Sequence, residues 1–257
     1  MMAAMDLPLL NDDLHGDGVI EPDQVVPDVD VPECAVLCFF GDVVRDMVGT
    51  RSDARLITKL ASEAGTSPVW EIDVGGQPLA VLQPGVGAPL AVAYAEELIA
   101  MGARKIVACG GAGALVPELA VGSAVVVDSA VRDEGTSYHY APASGIIDAD
   151  SHAVATIAKA CEADGVPHVV GRSWTTDAIY RETRDRVARR VEQECLVVEM
   201  EASALLSLAR YRGVSLGQVL MAGDTLAEET WDDRGWMTAR EARERLFWIA
   251  AQAAVAL

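Results

Sequence analysis

Short apolar runs alternate along the chain with longer segments in which apolar residues recur every three or four positions. The short runs predict buried strands, and the longer segments predict helices that bury one face. The predicted strands cover residues 35–40, 70–74, 79–83, 105–109, 124–130, 169–174, 196–198 and 218–222. The predicted helices cover a stretch after Gly41-Asp42 with Arg45, Arg51 and Arg55, then 89–101, 151–164 with Ser151 as N-cap candidate, 184–193, 202–212 and 239–257. This alternation is typical of one α/β domain with a mostly parallel or mixed sheet between helices.

Residues 1–32 lack this periodicity and are rich in Asp and Pro. Such a composition predicts an extended arm, of the kind that can pack on a neighbouring subunit. Residues 33–257 then form the α/β domain.

The stretch 196–212, LVVEMEASALLSLARYR, organises the rest of the chain. Its apolar start leads through Glu199, Met200 and Glu201 into apolar residues at helical spacing. Acids at such a junction lie at the carboxyl end of a strand, where open α/β proteins bind ligands, and they can accept hydrogen bonds from a polyol such as a sugar. The alternative is that they are acids in a first helical turn, which the helix dipole favours. The pattern alone leaves both open.

The charge balance narrows the expected partners. The chain has 39 Asp and Glu against 20 Lys and Arg, a net charge of −19 and a pI near 4.4. Such a surface repels phosphate backbones and anionic membranes, so the sequence predicts no nucleic-acid and no membrane partner. No apolar run is long enough to span a bilayer, and the first residues carry acids where a signal peptide carries positive charge. The five cysteines show no metal-type pairing apart from Cys34 and Cys38, which lead into or lie in an apolar run. Together these predict a cytoplasmic protein with reduced thiols.

Other motifs suggest chemistry that their surroundings do not support. Gly110-Gly111-Ala112-Gly113 follows a predicted strand and predicts a turn, either for steric reasons or to bring N–H groups close to an anion. No crossover helix fits behind it, so a dinucleotide site is not predicted. The four histidines are scattered, which predicts no metal site, and there is no Gly-x-Ser-x-Gly elbow. Asp224, after Gly223 at a strand end, is either a turn or helix cap or a general acid.

Several stretches resemble the nucleoside phosphorylase family, which includes uridine phosphorylase and the hexameric purine nucleoside phosphorylases. VVEMEASALLSLARYRGV looks like the family's ribose-binding strand and helix, and IVACGGAGALVPELAVGSAVVVDSAVRDEGTSYHYAP looks like its glycine segment and following strand. LAVLQPGVGAPLAVAYAEELIAMGARK, TTDAIY and LMAGDT extend the resemblance from about residue 35 to the C-terminus. It implies a single α/β domain with a mixed, partly barrel-like sheet flanked by helices. It also implies a homo-oligomer, built as a dimer or a trimer of dimers.

The activity implied by this resemblance is cleavage of a nucleoside N-glycosidic bond by inorganic phosphate, giving free base and ribose 1-phosphate with no other cofactor. Carried over by position, Glu199, Met200 and Glu201 hold the ribose, and Glu201 accepts from its hydroxyls. Asp224 falls where the purine enzymes keep the acid that protonates the leaving base. The remaining positions are Asp177, Ile179 and Tyr180 for the base, and Gly41, Arg45 and Gly111 for phosphate.

The chain departs from the family pattern mainly at the phosphate site. The loop at Gly41 lacks the family's proline, the Arg expected two residues before the glycine segment is Ala108, and the Thr within that segment is Ala112. Loss of an Arg removes charge-assisted hydrogen bonds to an anion. A nucleosidase that uses water is therefore the first alternative, and a non-catalytic nucleoside-binding protein is the second.

Three other arginines are candidates for the missing charge: Arg51, Arg55 and Arg132. The alternatives are surface ion pairs for the first two and a structural bridge to an acid for the third. The residues that read uracil in uridine phosphorylase appear as Thr183 and Asp185, and His15 is the candidate for the His that completes a neighbour's ribose site. The sequence leaves the base, the sugar and the subunit number open.

Overall fold

The computed structural model describes residues 8–10, 14, 16–63 and 65–257. The strands among them are β1 (Cys34–Cys38), β2 (Arg55–Ser62), β3 (Gly65–Val74), β4 (Gln77–Leu82), β5 (Lys105–Ala114), β6 (Ala124–Asp133), β7 (Ile146–Asp148), β8 (His168–Thr176), β9 (Cys195–Glu199) and β10 (Ser215–Thr225). The helices are α1 (Gly41–Thr50), α2 (Ala88–Ala100), α3 (Ser151–Ala163), α4 (Arg184–Glu192), α5 (Ala202–Arg212) and α6 (Arg240–Ala256). None of these described helices is long and apolar enough to cross a bilayer.

The described strands form one mixed sheet, part of which closes into a barrel. The barrel runs β5-β10-β6-β8-β9 and returns to β5, because β5 pairs in parallel with β10 and antiparallel with β9. On its other side β5 pairs with β1, and the sheet continues through β4 and β3 to β2. The single α/β domain with a mixed, partly barrel-like sheet is confirmed.

Helices bury apolar residues on both faces of this sheet. On one face, Leu205 of α5 and Ile106 of β5 belong to one core cluster, which α2 also joins. On the other face, Phe247 of α6 and Val107 of β5 belong to a second cluster with residues of α1 and α3. Successive side chains of a strand point to opposite faces, and here both faces are covered. This double burial is why the central strands appear in the sequence as unbroken apolar runs.

The helix predicted through Arg45, Arg51 and Arg55 is wrong beyond Thr50. The hydroxyl of Thr50 donates back to carbonyl oxygens one turn earlier, α1 ends there, and Arg55 begins β2. β2 lies at the edge of the sheet, and Leu60 is its fully buried side chain. Such an edge strand lacks the apolar run on which the prediction depended.

The turn predicted at residues 110–113 is also wrong, because this segment is the second half of β5. The strand continues until Gly113 pairs with Val198 of β9. A Cβ on Gly111 would lie 2.9 Å from the ring of Trp236. The glycines therefore mark close approach of neighbouring groups and not a change of chain direction.

Other predicted elements are present with shifted ends. β10 begins at Ser215 and runs to Thr225, longer than the predicted 218–222. The N-cap of α3 is Asp150, whose carboxylate accepts a hydrogen bond from the His152 N–H at 2.9 Å, so the Ser151 prediction is one residue late. These differences arise at element ends, where side-chain capping decides the boundary.

The segment before β1 packs on its own domain where the structure describes it. Glu21 forms an ion pair of 3.3 Å with Arg212 of α5. Val31 is buried and donates its N–H to the Met101 carbonyl oxygen at 3.0 Å. His15 lies outside the described residues, and an arm that reaches a neighbouring subunit stays a prediction.

The acidic surface leads us to expect a fold that is more stable in concentrated salt. The net charge is −19, and Lys59, Lys105 and Lys159 are the lysines of the chain. Like charges on a compact surface repel each other, and salt shortens the screening length from about 10 Å at 0.1 M to about 3 Å at 1 M. We expect calorimetry to show a Tm that rises by roughly 5–10 °C between about 0.1 M and about 2 M potassium chloride.

A constant or falling Tm would contradict this expectation. Screening would then weaken ion pairs such as Arg190–Asp133, at 2.8 Å, by more than it relieves repulsion. Sucrose is the matched control, because it favours the compact state without screening charge.

Candidate active site

Ends of three barrel strands meet around Gly113 of β5. A Cβ there would lie 2.7 Å from Leu226 Cδ1, 3.0 Å from Val198 Cγ1 and 3.5 Å from Asp224 Oδ1. β10 leaves regular pairing just before its end, so Gly223 and Asp224 form a bulge. Bulges re-aim side chains and recur beside active sites. The wall made by β5, β9 and β10 thus brings Asp224 next to the end of β9.

Glu199 ends β9 and is buried with every acceptor site used. Its Oε1 accepts from Ser173 Oγ at 2.8 Å and Thr175 Oγ1 at 2.6 Å. Its Oε2 accepts from the backbone N–H groups of Glu201 at 2.7 Å and Ala202 at 2.6 Å. Burial raises the pKa of Glu199, and these four donors oppose the rise. A carboxylate has about four lone-pair sites, so Glu199 ties β8 to the start of α5 and fixes the position of Glu201.

Glu201 stands at the N-cap position of α5 and is 6% exposed. Its Oε1 accepts from the Gly87 N–H at 2.5 Å, and Gly87 has a φ of 98°, which favours glycine. Within the described residues no hydrogen bond of regular geometry ends on Oε2, although the Met200 backbone lies close enough to lower the pKa of Glu201. Burial, and then the charge of Glu199, raises the pKa of Glu201 to about 8. Oε2 is therefore the oxygen that can accept from a ligand hydroxyl, with half-buried Met200 beside it in the chain.

The RDEGTSYHYAP segment closes one side of this wall. Glu134 is buried and accepts from Ser203 Oγ of α5 at 2.8 Å and from the Ser137 N–H at 2.9 Å. Arg132 is also buried and donates from Nε to Ser137 Oγ at 2.9 Å and from Nη1 to the Pro142 carbonyl oxygen at 2.6 Å. Arg132 therefore holds the loop through carbonyl and hydroxyl oxygens, not through the acid that the sequence suggested.

Asp224 is half-buried, and its carboxylate is held by a side chain. Its Oδ2 accepts from Trp231 Nε1 at 2.7 Å, and Trp231 itself is 62% exposed. Arg234 fixes the same loop by donating to the carbonyl oxygens of Gly223 at 2.8 Å and Asp224 at 3.0 Å. Within the described residues the Asp224 carboxylate accepts from no backbone N–H. The alternative role of Asp224 as a turn or helix cap is therefore not supported by a hydrogen bond among the described residues.

The residues predicted for the base lie at the rim. Asp177 Oδ2 accepts from the Gly135 N–H at 2.9 Å and so ties the end of β8 to the RDEG loop; burial raises the pKa of Asp177. Ile179 and Tyr180 lie on a single 3-10 turn and are 54% and 96% exposed. Their contact with a base stays a prediction.

The predicted phosphate ligands lie at the start of α1 and on β5. Gly41 opens α1 and packs so closely on the Gln83 amide that a Cβ would overlap it. Arg45, one turn along α1, is exposed and has no ion-pair partner within the described residues. Gly111 lies beneath the Trp236 ring. Their role in phosphate binding stays a prediction.

The other candidate arginines are engaged elsewhere. Arg51 Nη2 lies 2.6 Å from Asp53 Oδ2, and Arg55 Nη2 lies 2.7 Å from Glu71 Oε2. These are the surface pairs that the sequence offered as the alternative. Because Arg132 holds its own loop, Arg45 is left as the candidate cation at this end of the site.

Sequence reasoning missed Glu182, Glu134 and Trp231. Glu182 lies in the charged run RETRDR, which is typical of an exposed helix, yet burial raises its pKa to about 7, and the charge of Asp224 adds to the rise. Glu134 lies inside the RDEGTSYHY motif, which indicates a family resemblance but assigns no role to this residue. Trp231 follows the last strand at a distance that no pattern specifies. In the described part of the chain no three His, Cys, Asp or Glu side chains converge as a metal site.

The chain is similar to known proteins over most of its length. The family model described as the phosphorylase superfamily matches residues 33–253. Guanosine phosphorylase of Halorubrum lacusprofundi is 29% identical over 92% of this chain and 99% of its own length. Uridine phosphorylase of Escherichia coli is 30% identical over 63% of this chain and 69% of its own length.

Solved structures agree on the fold. Uridine phosphorylase from Vibrio fischeri superposes with a TM-score of 0.78 at 22% identity, covering 94% of this chain and all of that one. Purine nucleoside phosphorylase from Toxoplasma gondii in complex with immucillin-H superposes with a TM-score of 0.73 at 24% identity, covering 88% and 91%.

Proposed function

The chain belongs to the phosphorylase superfamily, and from that premise we propose that it cleaves the N-glycosidic bond of a nucleoside by phosphorolysis. The products are the free base and ribose 1-phosphate. The observation that carries the proposal is that one wall of strand ends holds both Asp224 and Glu201, whose buried Oε2 accepts no hydrogen bond of regular geometry. The matched relatives named as guanosine and uridine phosphorylases support it.

The reaction needs charge stabilisation at two points. The C1′–N bond breaks with both electrons going to the base, and a phosphate oxygen forms the new bond to C1′. The ribosyl group is cation-like in between, and the base leaves as an anion unless a proton reaches it. Positioning and electrostatics therefore supply most of the rate.

The carboxylates of the site fit these tasks. Glu201 Oε2 accepts from a ribose hydroxyl, and Met200 lies beside the sugar. Glu199 positions Glu201 because its own acceptors are already used. Asp224 exchanges its contact with Trp231 for the leaving base and shares a proton with it. Asp177, Ile179 and Tyr180 border the base.

The phosphate end is built from Gly41, Arg45 and Gly111. N–H groups at a helix start attract anions, and Arg45 on α1 adds the charge that Ala108 does not supply. Inorganic phosphate is then the co-substrate, and no other cofactor is needed. We further propose a cytoplasmic homo-oligomer, a dimer or trimer of dimers, of a 33–257 domain with a 1–32 arm.

The test is release of free base from a nucleoside panel with and without phosphate. We expect release only with phosphate, together with ribose 1-phosphate. Equal release without phosphate would indicate the nucleosidase alternative. No release from any nucleoside on long incubation would indicate a binding protein.

Arg45→Gln tests the anion site within the same assay. We expect the KM for phosphate to rise about tenfold or more, because a charge-assisted hydrogen bond is lost, while the KM for the nucleoside changes little. Arg55→Gln is the matched control, because Arg55 is paired with Glu71 and should leave both constants unchanged. A rise for Arg55→Gln and none for Arg45→Gln would reverse the assignment.

A further inference from the structure

Glu182 lies where the base end of the site meets the end of β10. It links the exposed 3-10 turn Ile179–Arg181 to α4 and is half-buried, although Thr183 beside it is exposed. Arg184 Nη1 donates to the Leu226 carbonyl oxygen at 2.6 Å and so holds this link against β10. Asp224 precedes Leu226 by two residues.

The Glu182 carboxylate has no hydrogen bond or ion pair within the described residues. Burial raises the pKa of Glu182 to about 7, and the negative charge of Asp224 adds to the rise. Partly buried carboxylates without donors are unfavourable. A ligand that supplies N–H donors to Glu182 would remove that penalty.

The two carboxylates can serve opposite edges of a purine. Asp224 is assigned to the leaving side of the base, where N7 lies. The N1 and C2 positions lie on the far side of the ring, where a second carboxylate can accept hydrogen bonds from their N–H groups. Glu182 is close enough to Asp224 for their charges to interact, and the contact of Arg184 with Leu226 holds this segment at the same end of β10.

A carboxylate has two oxygens and is best matched by two adjacent N–H donors, as in its pairing with the Arg fork. Guanine presents N1–H and the 2-amino group side by side. Hypoxanthine presents N1–H alone, and adenine presents an acceptor at N1. Uracil presents one N–H between two carbonyl oxygens, which an anionic carboxylate repels.

We propose that Glu182 determines the base specificity of this site and selects a nucleoside whose base has two adjacent N–H donors, which is guanine chemistry. This inference rests on the proposed function, which places a nucleoside base at this site. The relative named as a guanosine phosphorylase is consistent with it.

The test measures binding separately from turnover. Calorimetry without phosphate gives the Kd of guanosine and of inosine, which lacks only the 2-amino group. We expect guanosine to bind about tenfold or more tightly, since one hydrogen bond to a charged group is added. We expect Glu182→Gln, which has one acceptor, to reduce that ratio to near one.

Two further variants make the result specific. Glu192→Gln removes a carboxylate from the exposed last residue of α4, and it should keep the guanosine preference. Glu182→Asp keeps the charge but withdraws it by one methylene, and it should lose the preference. Glu182→Gln should fold at least as well as the parent, because it removes repulsion from Asp224.

Equal binding of guanosine and inosine by the parent protein would overturn the proposal, and so would a preference that survives in Glu182→Gln. If the preference is present and depends on Glu182 but no base is released with phosphate, the specificity assignment stands and phosphorolysis is what fails.

Discussion

Glu201→Gln is expected to lower kcat/KM for every nucleoside by about 100-fold or more, while the variant unfolds at a higher temperature than the parent protein. Hydroxyl donors of the bound ribose favour the ionised form of Glu201. The activity falls because this charge-assisted hydrogen bond is lost in the variant as the sugar becomes cation-like. About 100-fold corresponds to about 2.7 kcal/mol. Steady-state kinetics on the panel measures this loss. Near-parental kinetics would remove Glu201 from the site.

The stability gain follows from the raised pKa of Glu201. Burial and then the charge of Glu199 raise that pKa from 4.5 to about 8. Between these two values the folded protein holds a proton that the unfolded chain releases, so the free energy of unfolding falls as pH rises. Above about pH 8 the penalty is complete, on the order of 5 kcal/mol. Gln keeps the acceptor for the Gly87 N–H and does not titrate.

The measurement is Tm at pH 6 and pH 9 for parent and variant. The Tm difference should widen with pH and reach roughly 5–10 °C at pH 9. Glu118→Gln, an exposed site with the same charge change, should show no such widening. A gap that stays constant would mean that Glu201 does not titrate in this range.

The sequence predicted the carboxylate wall because strand-to-helix junctions have a local signature. Both the apolar run before Glu199 and the helical spacing after Glu201 can be recognised in a short stretch of sequence. What joins these acids to Gly87 and Thr175 is distant in sequence. No periodicity in the sequence predicts that Glu199 accepts four hydrogen bonds from the protein while Oε2 of Glu201 accepts none of regular geometry.

The errors have a common physical origin. β2 is an exposed edge strand and has no apolar run, and β5 contains glycines because Trp236 and Val198 approach it closely. Both depend on tertiary neighbours. The partly barrel-like sheet was predicted from the family resemblance and not from periodicity. The sequence of a single strand does not determine which strands pair with it.

Loops carry what the sequence missed. Glu182 and Trp231 lie in charged, irregular segments that pattern analysis assigns to solvent. The roles of these two residues depend on their proximity to Asp224, and that proximity is known only from the folded structure. The specificity proposed for this site therefore depends on segments whose structure the sequence predicts least well.

Asp224→Asn is expected to reduce kcat about 100-fold or more for guanosine and very little for 7-methylguanosine. General acid catalysis contributes about 100-fold to 10,000-fold where a proton is needed. A base already alkylated at N7 leaves as a neutral molecule and needs no proton. Asn keeps an acceptor for Trp231 Nε1, so the Tm should change little.

Trp231→Phe is the matched control for this prediction. It removes the donor to Asp224 but keeps an aromatic ring, and its effect should be about tenfold or less on guanosine. Equal losses of Asp224→Asn on both substrates, together with a lowered Tm, would mean that Asp224 only holds the loop. A loss confined to guanosine, at unchanged Tm, would identify Asp224 as the acid, because only the substrate that needs a proton would then depend on it.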